Sequence, residues 1–400
     1  MSTLNVDKVD PSTGTALEIG TSGDTITVPS GATFVVAGTT EITGTNNVQR
    51  PNVNPLIING DMAVAQRATS TASITSDGFH TLDRFETHIS SLGTWTQSQD
   101  SDVPSGQGFA NSLKMDCTTA DASPSAGDFC IIRTKFEGQD LQLIKKGTAN
   151  AEKLTLAFWV KSSKTGTHIV ELFDIDNSRT VSQAYTISSA DTWEKKVVNF
   201  PADTTGAFGD DNGRSLDIQF WLGTGTTYSS GTLQTTWGGQ SNGDRAVGQV
   251  NLADSDSNDF YLTGVQLEVG EYTSSTIPPF QHESYGDNLA RCQRYYIKIA
   301  DGITKPIYLA MSYNATQASA FVLLPNTMRT TPSIDQTSGA SYYRYVANAT
   351  NTSFASFSVD YGSTQALAIK TASISGLTGG EAGWFVTTDA SSYFAFDSEL

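Results

Sequence analysis

Apolar and polar residues alternate with a period of two along most of the chain. The pattern is clearest in LTLAFWVKS (154–162) and LDIQFWLGT (216–224), where the first, third, fifth and seventh residues are all apolar. Successive side chains of a strand point to opposite faces, so this period predicts strands with one apolar face. WEKKVVNF (193–200) and FYLTGVQLEVG (260–270) continue the pattern. Residues 51–283 are therefore predicted to form an antiparallel all-β sandwich of jelly-roll type.

A second strand-rich region follows between residues 301 and 400. Its candidate strands are IYLAMSY (307–313), SAFVLLP (319–325), SYYRYVA (341–347), SFSVDY (356–361), QALAIKT (365–371) and GWFVTTD (383–389). Pro325 and Pro332 mark a loop between them, since proline cannot donate to a strand ladder. We expect this region to be a small C-terminal β-sandwich of its own.

One short segment between the two sandwiches has a helical period instead. In YGDNLARCQRYY (285–296) and just after it, apolar residues recur at helical spacing: Leu289, Cys292, Tyr296 and Ile299. Asp287 is predicted to cap the first turn, where its charge suits a helix N-terminus. Arg291 and Arg294 are expected to pair with acidic neighbours. We therefore predict a linking helix over residues 284–300.

The first 50 residues differ from the rest of the chain. Short apolar-alternating pieces are separated by glycines, and strands this short do not form an independent core. Several parallel copies wrapped around one axis share a narrow apolar seam instead: Leu4, Val6, Ile26, Val28, Val35 and Ile42. This pattern predicts an N-terminal β stalk (1–50) of a homotrimer, and a flexible tail is the alternative. The Pro- and Asn-rich residues 45–55 are typical of a linker.

Composition narrows the classes of partner. Only 16% of the 400 residues are charged, and the formal net charge is −17. Such an acidic chain repels phosphate backbones, so no nucleic-acid partner is expected. No run approaches the ~20 apolar residues of a membrane span, so no membrane insertion is expected. The first 30 residues show no secretion signal.

Signatures of catalysis and of metal binding are weak. Cys117, Cys130 and Cys292 are too few and too scattered for a zinc site or a disulfide framework, although the first two could pair across a hairpin. None of the four histidines stands in a recognisable order with a Cys or Ser nucleophile. We therefore expect no cofactor, no metal and no enzymatic activity. A carboxylate pair for glycoside hydrolysis stays open as an alternative.

Aromatic residues give the best indication of binding. Trp221 alternates with polar neighbours on its strand and so lies on the face opposite the aliphatic residues. Together with Tyr228 and Trp237 it stands near a loop rich in Gly, Ser and Thr, and rings beside polar groups suit sugar recognition. Tyr342, Tyr343 and Tyr345 form an alternative surface in the C-terminal domain. Packing of these rings against a neighbour is the competing interpretation.

Several motifs resemble a known class of proteins. They are NPLIINGDMAVAQR, LTLAFWVKSSKTGTH, FYLTGVQLEVGEYTSSTIPPFQHESYGDNLARCQRYY, LPNTMRTTPSI and SSYFAFDSEL. Together they resemble bacteriophage tail fibre and virion structural proteins over residues 54–400. The resemblance implies a jelly roll like a carbohydrate-binding module, joined by the helix to a distal β domain. In a homotrimer such helices could meet near the axis, so we expect Tyr295 or Tyr296 at a subunit contact.

The resemblance also implies a function. We expect a virion fibre, assembled in the host cytoplasm, whose residues 1–50 attach to another virion protein of the tail or capsid. Its task would be host adsorption by non-covalent binding of a cell-surface glycan. A head fibre or capsid decoration protein with a purely structural role is the first alternative. A polysaccharide depolymerase is the second.

Overall fold

The computed structural model describes residues 55–400, apart from residue 340 and residues 349–350. The chain divides into two compact units, Met1–Val48 and Gln49–Leu400, and every described residue belongs to the second. The predicted stalk seam lies outside the described residues: Leu4, Val6, Ile26, Val28, Val35 and Ile42. No helix in the described ranges is long and apolar enough to span a membrane.

Two six-stranded antiparallel sheets form the first sandwich. Its strands are β1 (Ser70–Ile74), β2 (Glu86–Ser90), β3 (Thr94–Asp100), β4 (Ser112–Thr119), β5 (Phe129–Glu137), β6 (Leu154–Ser162), β7 (Gly166–Asp174), β8 (Arg179–Ile187), β9 (Glu194–Phe200), β10 (Arg214–Thr224), β11 (Gly238–Gly239) and β12 (Asp259–Val269). The front sheet has the order β1, β3, β4, β12, β6, β9, and the back sheet has the order β11, β8, β7, β10, β5, β2. Short 3-10 helices lie in the connections: Gly138–Asp140, Gln142–Ile144, Asn242–Asp244 and Leu252–Asp254. The prediction of a jelly-roll sandwich is confirmed.

The core of this sandwich comes from the period-2 residues. Leu156 and Phe158 on β6 of the front sheet and Phe220 on β10 of the back sheet are all buried in one cluster. The Phe158 and Phe220 rings meet edge to face, with their centroids 5.1 Å apart. Burying each such side chain contributes about 1.5–3 kcal/mol relative to leaving it exposed. The apolar faces predicted from the sequence are the faces that hold the two sheets together.

The linking helix is shorter than predicted and is capped by a different residue. Helix α1 spans Tyr285–Cys292, and the Ser284 hydroxyl accepts a hydrogen bond from the Asp287 backbone N–H at 3.2 Å. Asp287 is the third helical residue, and its carboxylate accepts from the Ser284 hydroxyl at 2.7 Å. Serine at the N-cap with an acid three residues later has the residue spacing of a capping box, and here the acid bonds the serine hydroxyl. The expectation that Asp287 is itself the cap was therefore wrong.

The second sandwich begins inside the segment that was predicted to be helical. Its strands are β13 (Tyr296–Asp301), β14 (Pro306–Asn314), β15 (Gln317–Leu323), β16 (Ser333–Gln336), β17 (Tyr343–Ala347), β18 (Asn351–Phe354), β19 (Phe357–Gly362), β20 (Ala366–Thr371), β21 (Ala382–Thr387) and β22 (Tyr393–Asp397). Three strands form a small sheet in the order β13, β22, β16. Seven strands form the other, in the order β18, β17, β21, β14, β15, β20, β19. A single cluster of buried aromatic and aliphatic side chains joins the two sheets.

Buried ionic contacts join the two sandwiches directly after α1. Arg294 donates to both carboxylate oxygens of the fully buried Glu137, at 2.7 and 2.6 Å, and the Tyr295 hydroxyl donates to the same group at 2.6 Å. The buried Arg84 guanidinium stacks on the Tyr295 ring at 3.5 Å and pairs with Glu399. Charges removed from water need such pairing. The segment after the helix therefore fixes the second sandwich onto the first.

Candidate functional site

The aromatic residues predicted in the first sandwich are only partly brought together. Trp221 on β10 is fully buried, and its indole N–H donates to Glu171 at 3.3 Å. Tyr228 is half-buried and packs against it, with ring centroids 5.5 Å apart. Trp237 instead packs against the main core and donates its indole N–H to the Pro201 carbonyl at 2.9 Å. Because the Trp221 ring has no accessible face, the prediction that it stacks on a sugar is wrong.

Two of the three tyrosines predicted as a binding surface in the second sandwich are buried, as Trp221 is. Tyr343 and Tyr345 on β17 point into the core and are fully buried. The Tyr343 hydroxyl donates to the Tyr393 carbonyl, and the Tyr345 hydroxyl donates to the Glu381 carbonyl. Tyr342, before the strand, is half-buried. Alternation along β17 directs Tyr343 and Tyr345 inward, so the predicted receptor surface is wrong for these two residues. For Tyr342 it stays a prediction.

The predicted subunit contact in the linking segment is also wrong. Tyr295 and Tyr296 are both buried within the chain, each about 1% exposed. The Tyr295 hydroxyl is bonded to Glu137, and the Tyr296 hydroxyl donates to Asp335 at 3.1 Å. Rings that are already covered within one chain leave no surface for another copy.

A cleft between the two sandwiches is the best candidate site. It has a volume of about 600 Å³. The first sandwich contributes the segment before β1 and the loop before β2, and the second contributes strands β13, β16 and β22. The lining side chains include Arg67, Phe79, His80, Tyr296, Lys298, Asp335, Tyr393 and Asp397. Ligand sites commonly lie at such domain boundaries, and this volume is within their usual range.

The walls of the cleft combine half-buried rings with a fixed guanidinium. Phe79, His80 and Tyr393 are each partly exposed. Arg67 lies over the Tyr296 ring at 3.6 Å and 5.2 Å from the Phe79 ring centroid. Burial lowers the pKa of His80 below its ordinary value, so its ring is neutral at pH 7. The cleft therefore offers flat, uncharged ring surfaces beside a cation that is held in place.

Polar groups of the cleft are oriented by bonds among themselves. The Asp335 carboxylate accepts from the Tyr393 hydroxyl at 2.8 Å and from the Tyr296 hydroxyl at 3.1 Å. Burial raises the pKa of Tyr393 to about 12 and also raises that of Tyr296, so both phenols keep their protons at neutral pH. Lys298 donates to the Arg67 carbonyl and to Asp301, both at 2.6 Å. The Asp335 carboxylate can accept, and the Lys298 ammonium can donate, further hydrogen bonds to the hydroxyl groups of a ligand.

Another aromatic group lies on the outer face of the front sheet. The Trp193 and Tyr261 ring centroids are 6.0 Å apart, and Lys161 lies 3.8 Å over the Tyr261 ring. Asp102 accepts from the Trp193 indole N–H at 2.9 Å and pairs with Lys161. The principal polar groups of this cluster therefore bind one another. It is a weaker candidate than the cleft, which has a cavity.

Sequence reasoning missed the cleft because its residues come from five separate places in the chain. Phe79 and His80 belong to a loop, and Lys298 belongs to a stretch that was assigned to the helix. Asp335 and Tyr393 lie on strands of the small sheet that the predicted strand set did not include. The sequence DGFH at 77–80, an aromatic pair after a turn, was the available signal. Within the described residues, no group of three or more His, Cys, Asp or Glu side chains is placed to hold a metal ion.

Comparisons with known proteins give only distant likenesses. No protein-family model matches the sequence, and no curated protein matches it. Among solved structures, the enzymatically active domain of tailspike protein 4 from bacteriophage CBA120 is 14% identical, with a TM-score of 0.29 over 54% of this chain and 21% of that chain. A family 4 carbohydrate-binding module is 12% identical, with a TM-score of 0.26 over 53% of this chain and 97% of that one.

A third similar structure is the family 11 carbohydrate-binding module of a Clostridium thermocellum cellulosomal cellulase. It is 10% identical, with a TM-score of 0.26 over 50% of this chain and 99% of that one. The chain spans about a fifth of the length of the tailspike chain it matches. With TM-scores below 0.5, these likenesses by themselves assign no function to this chain.

Proposed function

We propose that this chain is the subunit of a bacteriophage virion fibre and that it binds a host surface glycan, without catalysis, in the cleft between its two sandwiches. The observation that carries the glycan proposal is the cleft, where half-exposed rings stand beside oriented carboxylate and ammonium groups. The fibre assignment rests on the motifs of residues 54–400 that resemble phage fibre proteins.

The chemistry of the cleft fits a sugar ring. Phe79 and Tyr393 offer flat apolar surfaces for the C–H face of a pyranose. Asp335 and Lys298 provide an acceptor and a donor for its hydroxyls. A volume of about 600 Å³ accommodates a short oligosaccharide segment. Since the sandwiches are joined by buried ionic contacts, these groups are held before the ligand arrives, which reduces the ordering cost of binding.

Assembly and attachment complete the proposal. A single cleft of this kind binds weakly, and three copies in one fibre raise the effective affinity through multivalency. We therefore propose a homotrimer whose residues 1–50 attach it to the virion. Host adsorption is its task in this scheme, and the virion is its location.

The test is binding of the purified full-length chain to an array of bacterial surface polysaccharides. We expect Phe79→Ala to weaken the strongest signal by roughly tenfold, which corresponds to about 1.4 kcal/mol of lost stacking. The control is Trp193→Ala on the outer face of the front sheet, which should leave binding unchanged. The reverse result would place the glycan on the front sheet and overturn the cleft as its site.

Two further results separate the alternative functions. Reducing ends released from the bound polysaccharide would favour a depolymerase, and we expect none. Binding to no polysaccharide of the array or of a susceptible host would favour a structural head fibre or decoration protein. Either result would contradict non-catalytic adsorption.

A further inference from the structure

The seven-stranded sheet of the second sandwich has an uncovered apolar face. One side of the sheet packs in the core, and large side chains on the other side are between 45% and 82% exposed: Leu309, Met311, Tyr313, Phe321, Leu323, Tyr361 and Trp384. They lie on strands β14, β15, β19 and β21. Scattered apolar residues are normal on protein surfaces, but a contiguous patch on one sheet is not.

Strand register shows that these residues form a continuous band. Trp384 lies opposite Leu309 on one side and opposite Val346 on the other. Met311 pairs with Ser319, and the same antiparallel register continued by two residues sets Leu309 beside Phe321. The band continues through two more strands, with the pairs Phe321–Ala368 and Tyr361–Ala368. Uncharged side chains thus cross six adjacent strands; we call this surface the apolar band.

The face is nearly free of charge in a strongly acidic chain. Across all seven strands of the sheet the only charged residues are Arg344, Asp360 and Lys370, and the last two pair at 2.5 Å. The chain as a whole has 41 acidic and 24 basic residues. Two copies therefore repel each other over most of their surfaces but not across this face.

The exposed area is large enough for a stable interface. Since aromatic side chains have roughly 150–250 Å² each, the exposed fractions correspond to on the order of 1,000 Å² of apolar surface. Soluble monomers rarely expose a contiguous patch above about 300–600 Å². A standard interface buries about 800 Å² on each partner. The apolar band alone meets that requirement.

We propose that the apolar band packs against the apolar bands of the other copies of this chain in the homotrimer. Leu309, Leu323 and Met311 offer no hydrogen-bonding groups for a sugar, so the face is unsuited to glycan recognition. A nearly uncharged apolar surface is complementary to copies of itself, so the apolar bands of the three chains in the proposed homotrimer pack together around its threefold axis. The inference rests on the proposed fibre only in that the fibre contains several copies of the chain.

The direct test places a photo-crosslinking amino acid at position 321 of the full-length chain. We expect crosslinked products of two or more chains from this position. None should form from the control position 143, where Leu143 is exposed on a 3-10 helix of the first sandwich. A wild-type mass of 42.7 kDa in solution, or an oligomer that gives no crosslink from position 321, would overturn the proposal. A monomeric wild type would instead point to a different virion protein as the partner of the band.

A second variant measures the contribution of the band to assembly. The double substitution Leu309→Thr and Phe321→Thr keeps residues that favour strands on exposed positions, so the fold should be retained. We expect the double substitution to abolish the contact between apolar bands, seen as loss of crosslinking from a probe at position 384. The control substitution Leu143→Thr should leave that crosslinking intact. Unchanged crosslinking in the double variant would contradict the proposal. Array binding by the same proteins is read separately, so failure of the cleft and failure of the interface are distinguishable.

Discussion

The outer faces of the back sheet and of the seven-stranded sheet both carry apolar side chains, but only the first is covered within the chain. Both carry a tryptophan that points away from the core of its sandwich, Trp221 in the first and Trp384 in the second. Trp221 is fully buried, whereas Trp384 is 45% exposed. The two tryptophans differ because another segment of the chain packs over the first sheet; we call this segment the cover. Tyr228, Leu233 and Ala246, from the segment between β10 and β12, pack over Trp221 on the back sheet. No described residue covers the apolar band to the same extent.

A buried ion pair helps to hold the covering segment on the back sheet. Arg245 donates to both carboxylate oxygens of Glu171, at 2.8 Å each, and also to Gln219 at 3.0 Å. Tyr228 and Ala246 pack in the same small cluster as Trp221. Burial raises the pKa of Glu171, and Arg245 acts in the opposite direction. The charged pair fixes a loop that has little apolar surface of its own.

This comparison shows how the sequence deals with outward-facing apolar residues. Where the chain provides a long loop with a buried arginine, the sheet is completed within one subunit. Among the described residues, no comparable loop covers the large apolar side chains of the seven-stranded sheet, which stay exposed. The physical requirement to cover apolar surface remains, and under our proposal other copies of the chain meet it.

The largest expected effect is the difference in stability loss between substitutions of the two tryptophans. Trp221→Ala should destabilise the protein by about 3–5 kcal/mol, because it leaves a cavity in a closed cluster. Trp384→Ala should change the free energy of unfolding by about 0.5 kcal/mol or less in an isolated subunit. Denaturant unfolding at two protein concentrations checks both. Any larger effect of Trp384→Ala should depend on concentration, since it acts through association; a large effect independent of concentration would contradict the uncovered position of Trp384.

A smaller loss of stability is expected when the charge of Glu171, the partner of Arg245 in the cover, is removed. Glu171→Gln keeps the shape of the side chain but leaves Arg245 buried with a neutral partner, at a cost of about 2–3 kcal/mol. The matched control is Glu271→Gln, whose partner Lys153 forms an ion pair with both side chains more than half exposed. That pair should contribute less than about 1 kcal/mol. Equal effects of the two substitutions, measured by chemical unfolding, would show that the cover does not depend on its buried pair.

The fold could be predicted from the sequence wherever apolar and polar residues alternate with a period of two. Strand β6 has the predicted bounds, Leu154–Ser162, because its alternating residues face a deep core. The same alternation predicted that Trp221 points away from that core. It did not predict the cover, since the loop has no period and Arg245 meets Glu171 across 74 positions of the chain. Contacts between distant, non-periodic segments are decided by tertiary packing.

The candidate site was predicted less well for the same reason. Trp221 was chosen by its position in a strand, and Tyr228 and Trp237 by their nearness to a polar loop. Neither criterion distinguishes a covered ring from an accessible one. Tyr345 and Tyr393 both lie on strands, yet the first is buried and the second lines the cleft. The cleft exists because α1 and the contacts of Glu137 dock one sandwich on the other. No local pattern specifies that docking.

A pH-dependent effect of about 2 kcal/mol is expected from a second ion pair on the outer face of the back sheet. Burial acts to raise the pKa of Glu86, but Arg133 and Lys135, at 2.5 and 2.8 Å, outweigh it and hold that pKa at about 2 instead of 4.5. Since the folded-state pKa lies below the unfolded value, the stabilisation is present above pH 4.5 and is lost as the pH falls toward 2.

The measurement compares wild type with Glu86→Gln across that range. The difference in their free energies of unfolding should shrink by about 2 kcal/mol between pH 7 and pH 3. A difference that stays constant with pH would show that Glu86 has no depressed pKa in the folded state. The covered face would then owe its acid sensitivity to other carboxylates.

The smallest expected effect concerns the ion pair between Asp360 and Lys370, beside the apolar band. Asp360 and Lys370 are each about one-third exposed, so Asp360→Asn should change the stability of an isolated subunit by only about 0.2–1 kcal/mol. Association should suffer more, because contact with another copy would bury Lys370 without its partner. Glu152→Gln, which breaks the exposed pair with Lys145 in the first sandwich, is the control and should alter neither quantity appreciably. If Asp360→Asn weakens association and the control does not, an otherwise minor surface pair has become part of a covered face. That outcome would make the second sheet equivalent to the first, with its cover supplied by another chain.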